Sequence, residues 1–206
     1  MFSVRKRTKS QTRLRSIAIM RKKLAAVFLV LLIAAGVIIG INADALCRKY
    51  IYPLEYQPYV EKYSAEYGVD KYLVYAVIKT ESGFRPEAES DVGARGLMQL
   101  MEDAFDWVQY RMNDESGITY DDMFIAEHNI RCGTYLLSLL YSEYNDEETA
   151  LAAYFSGRGQ VNAWLADKEY SSDGKTLDKI PSASSNHYVH KVMTAYRSYT
   201  NLYDDF

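Results

Sequence analysis

The chain has 206 residues, room for one ordinary domain plus extra segments, and a formal net charge of −3 that conceals an asymmetry. Nine of its 24 basic residues precede residue 24, whereas all 27 acidic residues lie from Asp44 onward, so the portion beyond the first segments carries a net charge near −12. An acidic body argues against nucleic acid as a partner, and no internal repeat or heptad array is visible.

Residues 1–23 hold Arg5, Lys6, Arg7, Lys9, Arg13, Arg15, Arg21, Lys22 and Lys23 without a single acid. The following run, 24–43, reads LAAVFLVLLIAAGVIIGINA. It is uncharged and, at about 1.5 Å per residue, long enough to cross a hydrocarbon core of roughly 30 Å. The expectation is a basic cytoplasmic tail at 1–23 and a transmembrane helix at 24–43. The positive-inside rule then places everything beyond it on the outer side of a cell membrane, as a single-pass protein. Ala43-Asp44-Ala45 also has the small-x-small spacing of a signal cleavage site. A cleaved leader therefore stays open beside the retained anchor, although the apolar run exceeds the usual 7–15 or so residues.

Residues 44–58 read as a tether, with Pro53 and Pro58 interrupting any helix. The pattern then becomes helical, and the domain is expected to be mainly α over 59–206. A first pair, 59–67 and 70–82, is broken at Gly68; helices follow at 101–112, 124–144, 147–155, 160–166 and 186–203. Residues 170–185, rich in Ser, Asp, Gly and Lys, read as a loop. Ile125, Ile130, Leu136, Leu137 and Leu140 form a stripe that makes 124–144 the expected core helix.

The second of these helices ends in an acid. Leu73, Val77 and either Ala76 or Thr80 stack on one face, so Glu81 falls in the last turn, and Gly83 is a natural stop. A carboxylate there faces the negative end of the helix dipole, and an apolar wall would also disfavour its charge; both raise its pKa. An acid that keeps its proton near neutrality suits protonation of a leaving glycosidic oxygen. Taken alone, a Glu near a helix end is most often a solvated surface residue.

The company of Glu81 is more specific. Residues 81–100 read ESGFRPEAESDVGARGLMQL, which resembles the catalytic core of the soluble lytic transglycosylases, a branch of the lysozyme-like superfamily that includes goose-type lysozyme. The run from Asn129 through Gly133, Tyr135 and Leu136, the element Ala153-Tyr154 with Gly157, and Tyr188-Val189 resemble later motifs of that family in the same order. The resemblance implies a lysozyme-like helical domain that cleaves peptidoglycan strands between N-acetylmuramic acid and N-acetylglucosamine. No cofactor and no metal are expected. Glu81 would act alone, as acid and then as base on the muramic acid's own hydroxymethyl group, leaving an anhydro ring. Ser90, Met98, Gln99, Tyr154 and Tyr188 would contact substrate, Met98 through its main chain.

Other readings stand beside these. Leu97 and Met98 also suit core packing, and Ser90 suits a loop cap. Where the family pattern has Asn after the tyrosine of its Ala-Tyr-Asn element, this chain has Phe155, followed by Ser156. Glu87, Glu89 and Asp91 fall at loop positions and are expected to be solvated. His187 and His190 stand three apart without a third ligand or an H-E-x-x-H motif. Cys47 and Cys132 could pair outside a cell, or Cys132 could be a small buried apolar residue. A goose-type hydrolase of the same bond and a non-catalytic wall-binding scaffold remain the alternative functions.

Overall fold

The computed structural model describes residues 3–114 and 116–203, and these divide into two compact units, 1–51 and 52–206. In the first unit, helix α1 (Ser3–Ile41) runs from the basic segment through the apolar one, and a short helix α2 (Ala43–Leu46) leads into a wide helical turn, Cys47–Ile51. Within α1 the stretch Ala18–Gly40, with mean hydropathy 2.6 and no buried residue, is long and apolar enough to span a bilayer. It begins and ends earlier than the expected 24–43. The helical structure over 43–51 occupies ground that reads as tether in the sequence.

The second unit is helical, and among the described residues isolated bridges alone join Arg95 to Glu89 and to Leu100. Its helices are α3 (Gln57–Tyr67), α4 (Lys71–Glu81), α5 (Glu102–Met112), α6 (Ala126–Tyr144), α7 (Glu147–Ser156), α8 (Arg158–Leu165) and α9 (Ala183–Tyr203). A 3-10 turn, Tyr120–Phe124, precedes α6 and is held by a reciprocal Thr119–Asp122 cap that the sequence reading did not single out. Pro58 does not interrupt a helix. It lies in the first turn of α3, where no intrahelical N–H bond is due and its fixed φ is an advantage.

Asp70 starts α4 by accepting from the N–H groups of Tyr72 and Leu73 at 2.7 and 3.4 Å, and Asp146 starts α7 by accepting from Thr149 N at 2.8 Å. α6 is the axis of the unit and packs against α3, α5 and α7, while α4 and α7 both pack on α9. Its stripe of Ile130, Leu136, Leu137 and Leu140 is buried as the spacing requires, although Ile125 is exposed just before the helix begins. A tyrosine seam closes the other side. Tyr199 is fully buried, stacks on Tyr75 at 5.5 Å, and donates to the Pro53 carbonyl at 3.1 Å. Tyr203 donates to the Tyr52 carbonyl at 2.8 Å. The last helix thereby anchors the first residues of the unit beneath α4.

Candidate active site

Glu81 is the final residue of α4. Ser82 closes the helix, its N–H bonding the Ile78 carbonyl at 3.1 Å and its hydroxyl donating to the same oxygen at 3.2 Å. Gly83 and Phe84 turn the chain with φ of 59° and 67°, and Arg85 Nε pins the turn by donating to the Ser82 carbonyl at 2.9 Å. Glycine accepts this left-handed backbone freely, whereas Phe84 is held in it by packing its buried ring near Tyr75.

Val77 and Ile78 behind Glu81 are fully buried, and the residue itself is only partly exposed. Burial is the dominant effect on its carboxyl and raises the pKa, and after the Tyr188 hydroxyl and the Lys191 ammonium pull it part of the way back it stands at about 7. The Tyr188 oxygen lies close enough to favour the carboxylate, yet it forms no hydrogen bond of standard geometry. Burial, and then the charge of Glu81, raise the ionisation of both Tyr154 and Tyr188 well above the ordinary phenol range. The acid of α4 is thus flanked by two neutral phenols, one from α7 and one from α9.

The loop after Glu81 is folded back by short-range bonds. Gly96 N reaches the Ala88 carbonyl at 2.8 Å, and Arg95 and Leu100 exchange both backbone bonds at 2.9 and 3.0 Å. Asn129 of α6 is fully buried and every polar atom of its amide is engaged: its oxygen accepts from Met98 N at 2.7 Å, and its nitrogen donates to the Arg95 and Met123 carbonyls, each at 2.9 Å. A Cβ on Gly96 would run into the Met123 carbonyl and this same amide. One on Gly133 would run into the Met98 side chain. These two glycines let the loop lie directly on α6.

Within that frame Met98 has a fully buried side chain, so its main chain is what it can offer, and its carbonyl accepts from the Tyr154 hydroxyl at 2.7 Å. Gln99 takes a positive φ of 49° without being glycine, and its amide nitrogen donates to the carbonyls of Ala88 and Gly96 at 3.0 and 2.9 Å. Ser90 caps its own turn, accepting from Ala94 N at 2.9 Å. Glu81, Tyr154 and Tyr188 are therefore grouped. Met98 joins them through Tyr154, Gln99 follows Met98 in the chain, and Ser90 serves the turn upstream.

Glu87, Glu89 and Asp91 are exposed, and Glu89 pairs with Arg95 at 3.2 Å. His187 and His190 are exposed on α9. Among the described residues no cluster of three or more His, Cys, Asp or Glu could hold a metal ion. Cys47 and Cys132 are both free thiols; Cys132 is fully buried, which pushes its pKa up to about 12. The sequence reading passed over Lys191 beside the acid and the clamp made by Asn129. Lys191 lies three residues beyond Tyr188, so helical spacing alone would have put it on the same side of α9.

Residues 58–177, more than half of the chain, match the family model described as the transglycosylase SLT domain. α9, with Tyr188, lies beyond that range. A membrane-bound lytic murein transglycosylase C from Photorhabdus laumondii is 32% identical over 166 residues, covering 70% of this chain and 46% of the relative. One from Klebsiella pneumoniae gives the same figures. The chain thus spans about half the length of these curated relatives. Among solved structures, an inactive Glu-to-Gln mutant of the lytic transglycosylase Slt from Pseudomonas aeruginosa aligns with a TM-score of 0.63 at 25% identity, covering 74% of this chain and 26% of that one. The 70 kDa soluble lytic transglycosylase of Escherichia coli aligns with a TM-score of 0.64 at 24% identity, covering 73% and 25%, a likeness of fold. A lysozyme-like helical unit, an acid closing its second helix and a match over 58–177 converge on one conclusion: the chain belongs to the transglycosylase SLT domain family.

Proposed function

We propose that this chain is a membrane-anchored lytic transglycosylase that cleaves peptidoglycan between N-acetylmuramic acid and N-acetylglucosamine. The observation that carries the reading is the half-buried Glu81 carboxyl, with a pKa near 7, set between Tyr154 and Tyr188. At neutral pH a large fraction of it holds a proton to give to the departing glycosidic oxygen. Once the glycosidic bond has broken, the carboxylate so formed takes the proton of the muramic acid's hydroxymethyl group, whose oxygen closes on the vacated anomeric carbon. The product is an anhydro ring, and no water is consumed. A second carboxylate is not needed, since the substrate supplies the nucleophile.

Gln99 presents its amide oxygen to acetamido N–H groups while its nitrogen is tied down, and the Met98 carbonyl keeps a second lone pair for the same purpose. Ser90 keeps its hydroxyl proton to donate. The apolar run from residue 24, which overlaps the stretch Ala18–Gly40, is the single-pass anchor, the basic residues before residue 24 face the cytoplasm, and the unit from residue 52 works on the wall side. The names of the membrane-bound murein transglycosylases support substrate and anchoring alike.

The deciding measurement is mass spectrometry of products released from purified sacculi by the full chain in detergent. Anhydromuramyl ends, lighter by one water than reducing ends, are the expected result. Reducing ends would make the enzyme a hydrolase, and no release from several wall preparations would make it a wall-binding scaffold.

A further inference from the structure

Phe155, which stands where the family pattern has Asn, is 45% exposed although it follows the buried run of α7. One face of its ring stacks on Tyr188, with centroids 4.6 Å apart and planes inclined by 21°. The neighbouring Ser156 hydroxyl bonds the Ser185 hydroxyl at 2.6 Å. Consecutive residues at the end of α7 thus grip positions one turn apart at the start of α9, and this fixes the ring in orientation. The rest of the ring is open to solvent and lines the surface beside it.

Two grooves meet at this ring. One, of about 400 Å³, passes Trp107, Leu140 and Arg158, and the Arg158 guanidinium lies 4.3 Å over the Trp107 ring. The other, of about 510 Å³, passes Gln160, Trp164 and Ser185. Phe155 and Ser156 line both. An exposed, oriented aromatic ring between two aromatic-lined grooves is suited to the C–H face of a pyranose, which buries apolar area on the ring while its hydroxyls stay wet.

We infer that Phe155 is a substrate-positioning platform on which one sugar ring of a β-linked N-acetylhexosamine strand stacks as the strand passes from the Trp107 groove to the Trp164 groove. The inference rests on the glycan-cleaving reading of Glu81.

The test uses the full chain in detergent. Binding of tetra-N-acetylchitotetraose is measured by calorimetry to Glu81→Gln, alone and combined with Phe155→Ala or Phe155→Trp. Kinetics of the single Phe155 variants follow on soluble uncrosslinked peptidoglycan strands. Alanine should weaken binding and raise KM by about tenfold with kcat within about twofold, and tryptophan should restore both. Thermal midpoints should stay together, because the ring is half in solvent. Unchanged binding and KM in the alanine variant would overturn the platform, as would a tryptophan variant as weak as alanine. Binding that depends on Phe155 in a protein releasing no wall fragments would leave the platform standing and remove the catalytic reading; fragment release with binding indifferent to Phe155 would do the reverse.

Discussion

The Asn129 amide oxygen accepts from the Met98 N–H at 2.7 Å across 31 residues of sequence, joining the core helix to the turn that carries Gln99. The same side chain donates to the Arg95 and Met123 carbonyls, so three backbone groups of two separate loops meet at one buried amide, of which the Arg95 carbonyl also accepts from Leu100 N. Leaving a buried polar group unpaired costs about 1–3 kcal/mol. Asn129→Ala is therefore expected to lower unfolding free energy by about 3–5 kcal/mol in denaturant titration, with loss of wall lysis at temperatures where the protein is still folded. A loss below about 1 kcal/mol would mean that water replaces the amide and that the loop does not need it.

The burial that raises Glu81 also makes folding depend on pH. Its folded pKa of about 7 lies above the ordinary carboxyl value of 4.5, so the folded state binds a proton that the unfolded state has released between those two values. Stability from this group is complete below about pH 4.5 and declines as pH rises through 7. At about 1.4 kcal/mol per pKa unit the upper bound is about 3.5 kcal/mol, and partial exposure of the residue reduces it. Glu81→Gln, which cannot ionise, is expected to unfold at a higher temperature than the unaltered chain at pH 8 and at nearly the same temperature at pH 4.5. Equal melting at both pH values would place the carboxyl in open water.

Much of this site is written locally and some of it is not. Glu81 and the loop to Leu100 fall within twenty consecutive positions, and the apolar spacing of α4 already puts the acid at a helix end. Turn chemistry is likewise local, and Ser90 bonds only four residues ahead. Proline is ambiguous in sequence because the same ring breaks a helix interior and opens a first turn, which is why Pro58 reads as a breaker and acts as a starter. The positive φ of Gln99 and the stacking of Phe155 on Tyr188 carry no periodic signature. Each depends on contacts between separate segments and becomes visible only when α7, α9 and the loop are in place.

Tyr154 links the acid to that loop. Its hydroxyl donates to the Met98 carbonyl at 2.7 Å, and burial together with the charge of Glu81 keeps it protonated, hence a donor, far above neutral pH. Tyr154→Phe removes the bond without changing the ring. The expected cost is about 1–2 kcal/mol of stability, and about tenfold in kcat through loosening of the Met98–Gln99 turn. Binding of a chitotetraose to the Glu81→Gln background should weaken less than kcat does. An unaltered kcat in a correctly folded Tyr154→Phe protein would remove the hydroxyl from the catalytic arrangement.

The last expectation concerns the alkaline limb of activity. If Glu81 must be protonated to begin the reaction, kcat/KM should be level below its pKa and fall about tenfold per pH unit above about 7. Two groups hold that pKa down: the Tyr188 hydroxyl, which favours the carboxylate, and the Lys191 ammonium, exposed on the same helix. Removing either disfavours the anion further, so Tyr188→Phe and Lys191→Met should each move the limb to higher pH. The lysine change should move it less and in a salt-dependent way, because its charge acts through solvent. A limb that stays put in both variants, or moves to lower pH, would assign it to some other group and detach Glu81 from the proton that the reaction requires.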